Sequence, residues 1–332
     1  MTRADVARYA GVSTAVVSYV VNGGPKPVAP HTAARVREAI DLLNYRPNVN
    51  AQALRTGTTE MLGLILSDAT NPFFTELAMA IGSVAVRHSH ALMMGNSNGS
   101  GDSERRLVDD LVRRQVDGLI VTSVWERPDL EVRPSTKLPI VWLDNSNPTP
   151  GYASVGVDGY RGAQMAVDHL LDVHGHTTVG LVVGGLTGAN ADPRERGWLD
   201  ALRAADHRDG PLARVDWSRE GGYAGGLRLL QTSTPPTAVF ASSDLQAVGL
   251  LRAAHERGLR VPEDLAVVAF DGTKESEFCW PPLTVVAQPI QAMAEAAVRL
   301  VLDRDRPESH LDFEPRLIVR RSCGCEVAET PL

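Results

Sequence analysis

From residue 61 onward the chain alternates short apolar runs with amphipathic stretches, an order that few folds accept. The runs lie at 62–66, 91–94, 118–121, 140–143, 179–183, 238–240 and 265–270. Helix-period segments lie between them at 73–86, 104–114, 159–171, 196–205 and 245–257. Runs that are apolar throughout need cover on both faces, which is the environment of a parallel sheet with helices above and below. Six or more strand–helix units over about 260 residues exceed what one sheet usually holds. More than one sheet is therefore expected. No apolar stretch approaches the roughly 18 residues of a membrane span. A chain that is 43% hydrophobic and 22% charged is not a disordered one. Its 332 residues leave room for two or three domains of roughly 100–200 residues each.

The first 58 residues differ from the rest in charge. Arg3, Arg8, Lys26, Arg35, Arg37, Arg46 and Arg55 stand against Asp5, Glu38 and Asp41, a net of +4 in a chain whose total is −7. A basic head on an acidic body points to an anionic partner for the head alone. Residues 4–10 read as a short helix with Thr2 as its cap and Gly11 as its stop. Ser13 caps a second helix over 14–21, with Val12, Val16 and Val20 expected to face inward. Its outer face carries Thr14, Ala15, Ser18, Tyr19 and Asn22. A third helix runs over 30–43, opened by Pro30, with Ala34, Val36, Ile40 and Leu43 available for packing. Two short helices joined by a tight glycine-containing turn make a helix-turn-helix.

Three blocks then carry a resemblance. DVARYAGVSTAVVSYVVN (5–22), VREAIDLLNYRPN (36–48) and NAQALRTG (50–57) resemble, in order and spacing, the DNA-binding head of the LacI (lactose-repressor) family. The resemblance implies a small all-α head at 1–46, a hinge helix or linker at 47–58, and an α/β body at 59–332. The body would consist of two doubly wound parallel-sheet subdomains of periplasmic-binding-protein type, one from about 59–154 and 288–320, the other from about 155–285. It implies base reading by Thr14, Ala15 and Tyr19, with Ser18 and Asn22 contacting phosphate or supporting the helix. Several members have arginine where this chain has Tyr19. A tyrosine offers apolar contact to a thymine methyl and one hydroxyl, not a fork for guanine. Residues 48–55 are too short and polar to hold a helix alone; in the family they fold on DNA. Leu54 then wedges into the minor groove, with Asn50 and Ala51 lining it.

In the body, ligands of such sheets bind beyond the carboxyl ends of the strands. Asp68, Phe73, Phe74, Thr122, Asp144, Ser243 and Asp271 fall at those ends. The aromatic residues Phe73, Phe74, Trp142, Phe270 and Trp280 are expected to gather there, and polar groups beside aromatic faces suit a sugar. The resemblance adds Arg194, just before Gly197-Trp198, supports Asp271, and adds Gln288 as a further effector residue.

Other signals carry less. The sequence around Gly184-Gly185 and Gly188 lacks the full dinucleotide fingerprint, so no cofactor is expected. His174-Gly175-His176 offers two ligands without a third, and Cys323-Gly324-Cys325 reads as a reduced thiol pair in a disordered tail, so no metal is expected. No catalytic set stands in a motif context, so an enzyme is not expected. Three cysteines and no apolar run behind Met1-Thr2-Arg3 suit the cytoplasm, with nucleoid association when DNA-bound. The expectation is a homodimeric transcription regulator that binds a near-palindromic operator, answers to a small effector, most simply a sugar, and contacts no membrane. The rivals are a solute-binding protein with no DNA role, which would need a secretion signal, and a nucleotide-dependent α/β enzyme, which would need a phosphate loop.

Overall fold

Capping chemistry sets the head. The Asp5 amide donates to Thr2 Oγ1 at 3.4 Å while the Thr2 amide donates to Asp5 Oδ2 at 2.9 Å, closing a capping box on α1 (Arg3–Ala10). Gly11, at φ 63°, stops the helix. Ser13 Oγ accepts from the Val16 amide and starts α2 (Thr14–Asn22), which Gly23 ends at φ 62°. Pro30 opens α3 (Pro30–Leu42) with no side-chain cap from Ala29. Arg35 of α3 donates to the Ala10 carbonyl at 2.9 Å and so satisfies the end of α1. The core is Val6, Ala7, Ala10, Val17, Val36 and Ala39. Two expectations shift here. The enclosed residue of α2 is Val17, with Val12, Val16 and Val20 only partly buried, because α2 packs on both α1 and α3 and the residue between the stripe's members faces both. On α3 it is Ala33 that is buried while Ala34 is exposed.

The computed structural model describes residues 1–24, 26–46, 57–122, 138–143, 153–185, 192–303 and 309–326. The chain divides into two compact units, Met1–Thr59 and Glu60–Leu332. The second unit holds two six-stranded sheets. The first has the order β11-β5-β4-β3-β1-β2, built from β1 (Met61–Leu66), β2 (Ala91–Asn96), β3 (Gly118–Thr122), β4 (Ile140–Leu143), β5 (Ala153–Val157) and β11 (His310–Phe313). The second has the order β12-β10-β9-β8-β6-β7, from β6 (Val179–Gly184), β7 (Leu212–Val215), β8 (Ala238–Ala241), β9 (Ala266–Asp271), β10 (Thr284–Ala287) and β12 (Arg316–Ile318). Every pairing is parallel except β10 with β12. The helices are α4 (Pro72–Arg87), α5 (Gly101–Arg113), α6 (Gly159–Asp168), α7 (Pro193–Ala204), α8 (Arg219–Leu230), α9 (Asp244–Glu256), α10 (Lys274–Phe278) and α11 (Ile290–Leu302).

The chain crosses between sheets three times, not twice. The first subdomain runs through Val157, since β5 pairs with β4. After β10 the chain returns to it with α11, whose Met293, Ala297 and Val301 pack with Leu62, Leu77 and Ile81. Residues up to 320 do not all stay there, as the sequence had suggested. β12 pairs with β10, and Cys323, 1% exposed, joins the second subdomain's core with Leu170 and Phe270. The tail through Cys325 is thus packed, because β10 would otherwise leave a ladder edge open.

Helix α8 is absent from the sequence-derived elements, as is β7. Four glycines, Gly221, Gly222, Gly225 and Gly226, argue against a helix by propensity. They are there for packing. A Cβ on Gly222 would stand 2.1 Å from the Gln246 carbonyl oxygen, and one on Gly249 of α9 would stand 2.0 Å from that of Arg219. The two helices meet backbone to backbone. No helix among the described residues is long and apolar enough to cross a membrane.

Candidate functional site

The outer face of α2 presents Thr14, Ala15 and Asn22 exposed, with Ser18 and Tyr19 half-buried. Asn22 Nδ2 donates to Ser18 Oγ at 3.2 Å, so these two brace each other. The Tyr19 ring lies over Gly24, where a Cβ would meet it at 2.1 Å. The glycine therefore sets the ring's position at the end of the helix. Small side chains at Thr14, Ala15 and Ser18 allow a surface to approach the first turns of α2 closely. Arg3, Arg8, Lys26, Arg37 and Arg46 are all exposed in the same unit and supply its positive field. Asn50, Ala51 and Leu54 lie outside the described residues.

In the second unit, the carboxyl ends of the second sheet's strands converge on Arg194. Asp192 caps α7 and its two oxygens accept from Arg194 Nε and Nη2, each at 3.0 Å. Arg194 Nη1 donates to the Ser242 carbonyl at 2.9 Å. The guanidinium lies 4.5 Å from the centroid of Trp217 and 5.1 Å from that of Phe270, a double cation–π contact. Its stem passes Gly159 at the start of α6, where a Cβ would stand 3.3 Å from Arg194 Cγ. Burial opposes ionisation of Asp192, yet the Arg194 charge and hydrogen bonds outweigh it and hold the carboxyl below its ordinary value. Such pairing offsets the cost of withdrawing the half-buried guanidinium from water.

Next to this lies a polar lattice. Ser242 Oγ accepts from the Gly184 amide at 3.2 Å and donates to Gln246 Oε1 at 2.9 Å. Ser243 caps α9 by accepting from the Gln246 amide. Asp271 holds φ 113°, a conformation that L-residues rarely adopt, and its Oδ1 accepts from Gln288 Nε2 at 2.9 Å. Gln288 Oε1 and Ser67 Oγ are buried and without a partner among the described residues, so each is a polar atom that a ligand or water would satisfy. Asp244 accepts from the Thr273 amide at 2.6 Å and hydroxyl at 2.8 Å, yet burial pushes its carboxyl up to about 7. The subdomains touch where the Lys274 amide donates to Glu76 Oε1 at 2.8 Å.

Several expected residues stand elsewhere. Thr122 is fully buried; its hydroxyl accepts from the Ser67 amide and donates to the Ile65 carbonyl, stitching β3 to β1. Phe73 and Phe74, 2% and 8% exposed, sit edge to face in the first core rather than in the cleft. Trp142 is inside a core cluster on the first sheet, and Trp280 is 83% exposed beneath Arg321, so neither joins Phe270. Asp68 forms a turn by accepting from the Thr70 amide and hydroxyl. Asp144 lies outside the described residues. Sequence reasoning missed Asp192, Trp217, Ser242 and Gln246. Asp192 was findable, because Asp followed by Pro193 is a helix-start signal. Trp217 follows β7, a four-residue strand interrupted by Arg214 and too short to announce itself.

Comparisons with known proteins fit this geometry. Residues 2–48 match the family described as bacterial regulatory proteins, lacI family, and residues 167–323 match a periplasmic binding protein-like domain. The HTH-type transcriptional repressor PurR of Pasteurella multocida is 32% identical over 330 residues, covering 96% of this chain and 97% of the relative. That of Aliivibrio salmonicida is 31% identical with the same coverage. The lac repressor dimer bound to operator and the anti-inducer ONPF superposes with a TM-score of 0.87 at 28% identity, covering 97% of this chain and 99% of that one. The transcriptional regulator CelR in complex with cellobiose gives 0.72 at 28% identity with the same coverage. A LacI family regulator from Enterococcus faecium with bound ribose gives 0.70 at 28% identity, covering 79% and 98%. Since the similarity runs collinearly through head and body alike, the chain belongs to the LacI family, as a DNA-binding transcriptional regulator with an effector-binding body.

Proposed function

We propose that the chain is a homodimeric cytoplasmic repressor whose affinity for a near-palindromic operator is set by a sugar-class effector seated beside Arg194. The observation that carries this is the Arg194 guanidinium held by Asp192 between Trp217 and Phe270 at the carboxyl ends of the second sheet. Aromatic faces next to fixed donors and acceptors suit the C–H faces and hydroxyls of a sugar. Relatives of known structure carry cellobiose and ribose, which supports the class. Asp271, Gln288 and Asp68 supply further polar groups, with Ser243 behind them as a helix cap. Thr122, Phe73 and Phe74 act from within the framework. The effector shifts operator affinity only by its differential affinity for two subdomain angles, typically ~1–3 kcal/mol. The linker at 47–58, with Asn50, Ala51 and Leu54 in the minor groove, passes that difference to the head.

A thermal-shift panel of sugars and nucleosides tests the reading, because a cleft ligand stabilises by mass action. A sugar should raise the melting temperature of the wild type and not of Arg194→Ala, while both bind operator. A response to nucleosides alone, or a sugar response that survives Arg194→Ala, would replace this reading. On the head, Thr14, Ala15 and Tyr19 read base edges while Ser18 and Asn22 position the helix. Tyr19→Ala should cost ~1–3 kcal/mol on operator and little on random DNA; equal losses on both would remove Tyr19 from base reading.

A further inference from the structure

Four metal-ligating side chains meet at the far end of the second subdomain, away from Arg194. A π-turn (His169–Val173) follows α6, His174 comes next, and a 3-10 turn (Arg321–Cys323) brings in Cys323 and then Cys325. One ligand atom from each lies within 4.8 Å of the others. His169 Nε2 is 3.3 Å from Cys323 Sγ and 3.8 Å from Cys325 Sγ, and His174 Nε2 is 3.3 Å from Cys325 Sγ. A tetrahedral zinc with its usual bonds to sulfur and nitrogen has ligand–ligand edges of roughly 3.3–3.8 Å. We propose that His169, His174, Cys323 and Cys325 form a tetrahedral zinc site that ties the C-terminal segment to the second subdomain.

The backbone is shaped for it. Residues five apart lie about 140° apart around an α-helix, whereas an i to i+5 turn brings them toward one face. The π-turn does this for His169 and His174, whose rings stand 5.0 Å apart at 79°. Gly324, at φ 105°, turns the chain between the cysteines, and a Cβ there would stand 3.3 Å from His174 Nδ1. Behind the cluster, Thr284 Oγ1 lies 3.1 Å from Cys323 Sγ, a contact of the kind that orients a thiolate ligand. His176 is not part of the site; its Nδ1 lies 2.9 Å from Thr237 Oγ1. The pair of histidines that lacked a third ligand in the sequence thus divides, His174 joining the cluster beside Cys325. Two thiolates and two imidazoles select zinc over magnesium or calcium. Four protein ligands leave no open position, so the ion serves folding rather than catalysis.

The full chain, made without a histidine tag and purified in reductant, should carry about one zinc as read by plasma mass spectrometry. Stripping it with a strong chelator should lower the melting temperature, and added zinc should restore it. Cobalt in its place should show thiolate charge-transfer and intense tetrahedral bands. Cys323 is enclosed and its loss endangers folding, so Cys325→Ser and His174→Ala are the variants to use. Each should fold, lose the metal and lose the chelator response. Little zinc as purified together with no uptake of added zinc or cobalt would overturn the proposal. So would a chelator response unchanged in Cys325→Ser, or a Cys323–Cys325 disulfide whose reduction leaves a chain that takes up no metal.

Discussion

The head and the body bury their apolar surface on different scales. The head's core is six residues, none larger than valine. The body encloses Trp142, Phe240, Phe270 and a succession of Leu and Ile side chains at under 2% exposure. A domain of about 60 residues buries a smaller fraction of its surface than a large one and has little stability to spare. Costly groups are accordingly found in the body: Asp271 at φ 113°, the half-buried Arg194–Asp192 pair, and Asp244, whose Oδ1 lacks a hydrogen-bond partner among the described residues. The head holds Thr14, Ala15 and Asn22 exposed on its outer face, where they cost little. Strain and buried charge sit where the core can hold them.

All five tryptophans lie beyond residue 59, so tryptophan fluorescence reports the body alone and separates the two units. The largest expected effect is at Asp244. Its folded value of about 7 lies above the ordinary 3.8, so the folded chain retains a proton that the unfolded chain has released. That contribution is fully present below about pH 4 and is lost as pH rises through about 7, a change of at most about 4 kcal/mol. Urea unfolding followed by fluorescence should therefore show wild-type stability falling from pH 4.5 to 8 relative to Asp244→Asn. Parallel slopes for the two proteins would mean that Asp244 is ionised throughout.

Gly222→Ala comes next. The added Cβ meets a backbone carbonyl, which cannot swing aside, and the body should lose about 3 kcal/mol. The helical signal of the head should persist past the fluorescence transition. A normal fluorescence midpoint would show that α8 and α9 have room to separate. The smallest effect is at Val17→Ala, which removes two buried methyl groups from the head's core for roughly 2 kcal/mol. Operator binding should fail on warming while the tryptophan transition stays in place. A shift of that transition would show that the head and the body do not unfold independently.

Helix starts and stops in the head were legible because they are local. Thr2, Ser13, Gly11 and Pro30 act within four residues of themselves, and the helices start or stop where they indicate. Which valine of α2 is enclosed was not legible, since that depends on α1 and α3 together. Arg194 is recognisable by its place before Gly197-Trp198, but its partners come from several segments: Asp192 beside it, Trp217 after β7, Ser242 after β8 and Phe270 within β9. Phe73 and Phe74 look the same in sequence whether they face a ligand or a core. Only the packing of α11 against α4 places them in the core.

By itself, the order of apolar runs and amphipathic stretches determined an α/β body of parallel strands too many for one sheet, and the caps and charge of the first residues determined a basic helix-turn-helix head. Both rest on periodicities of two to four residues, which every local stretch of chain carries. Tertiary structure alone decided that a glycine-rich segment is a helix, since its cost in propensity is met by contact with α9. It also decided that β12 closes the second sheet, and that His169 and Cys323, 154 residues apart in sequence, share one cluster. These are contacts between distant segments, and a side chain's own neighbours in sequence hold no record of what the folded chain brings against it.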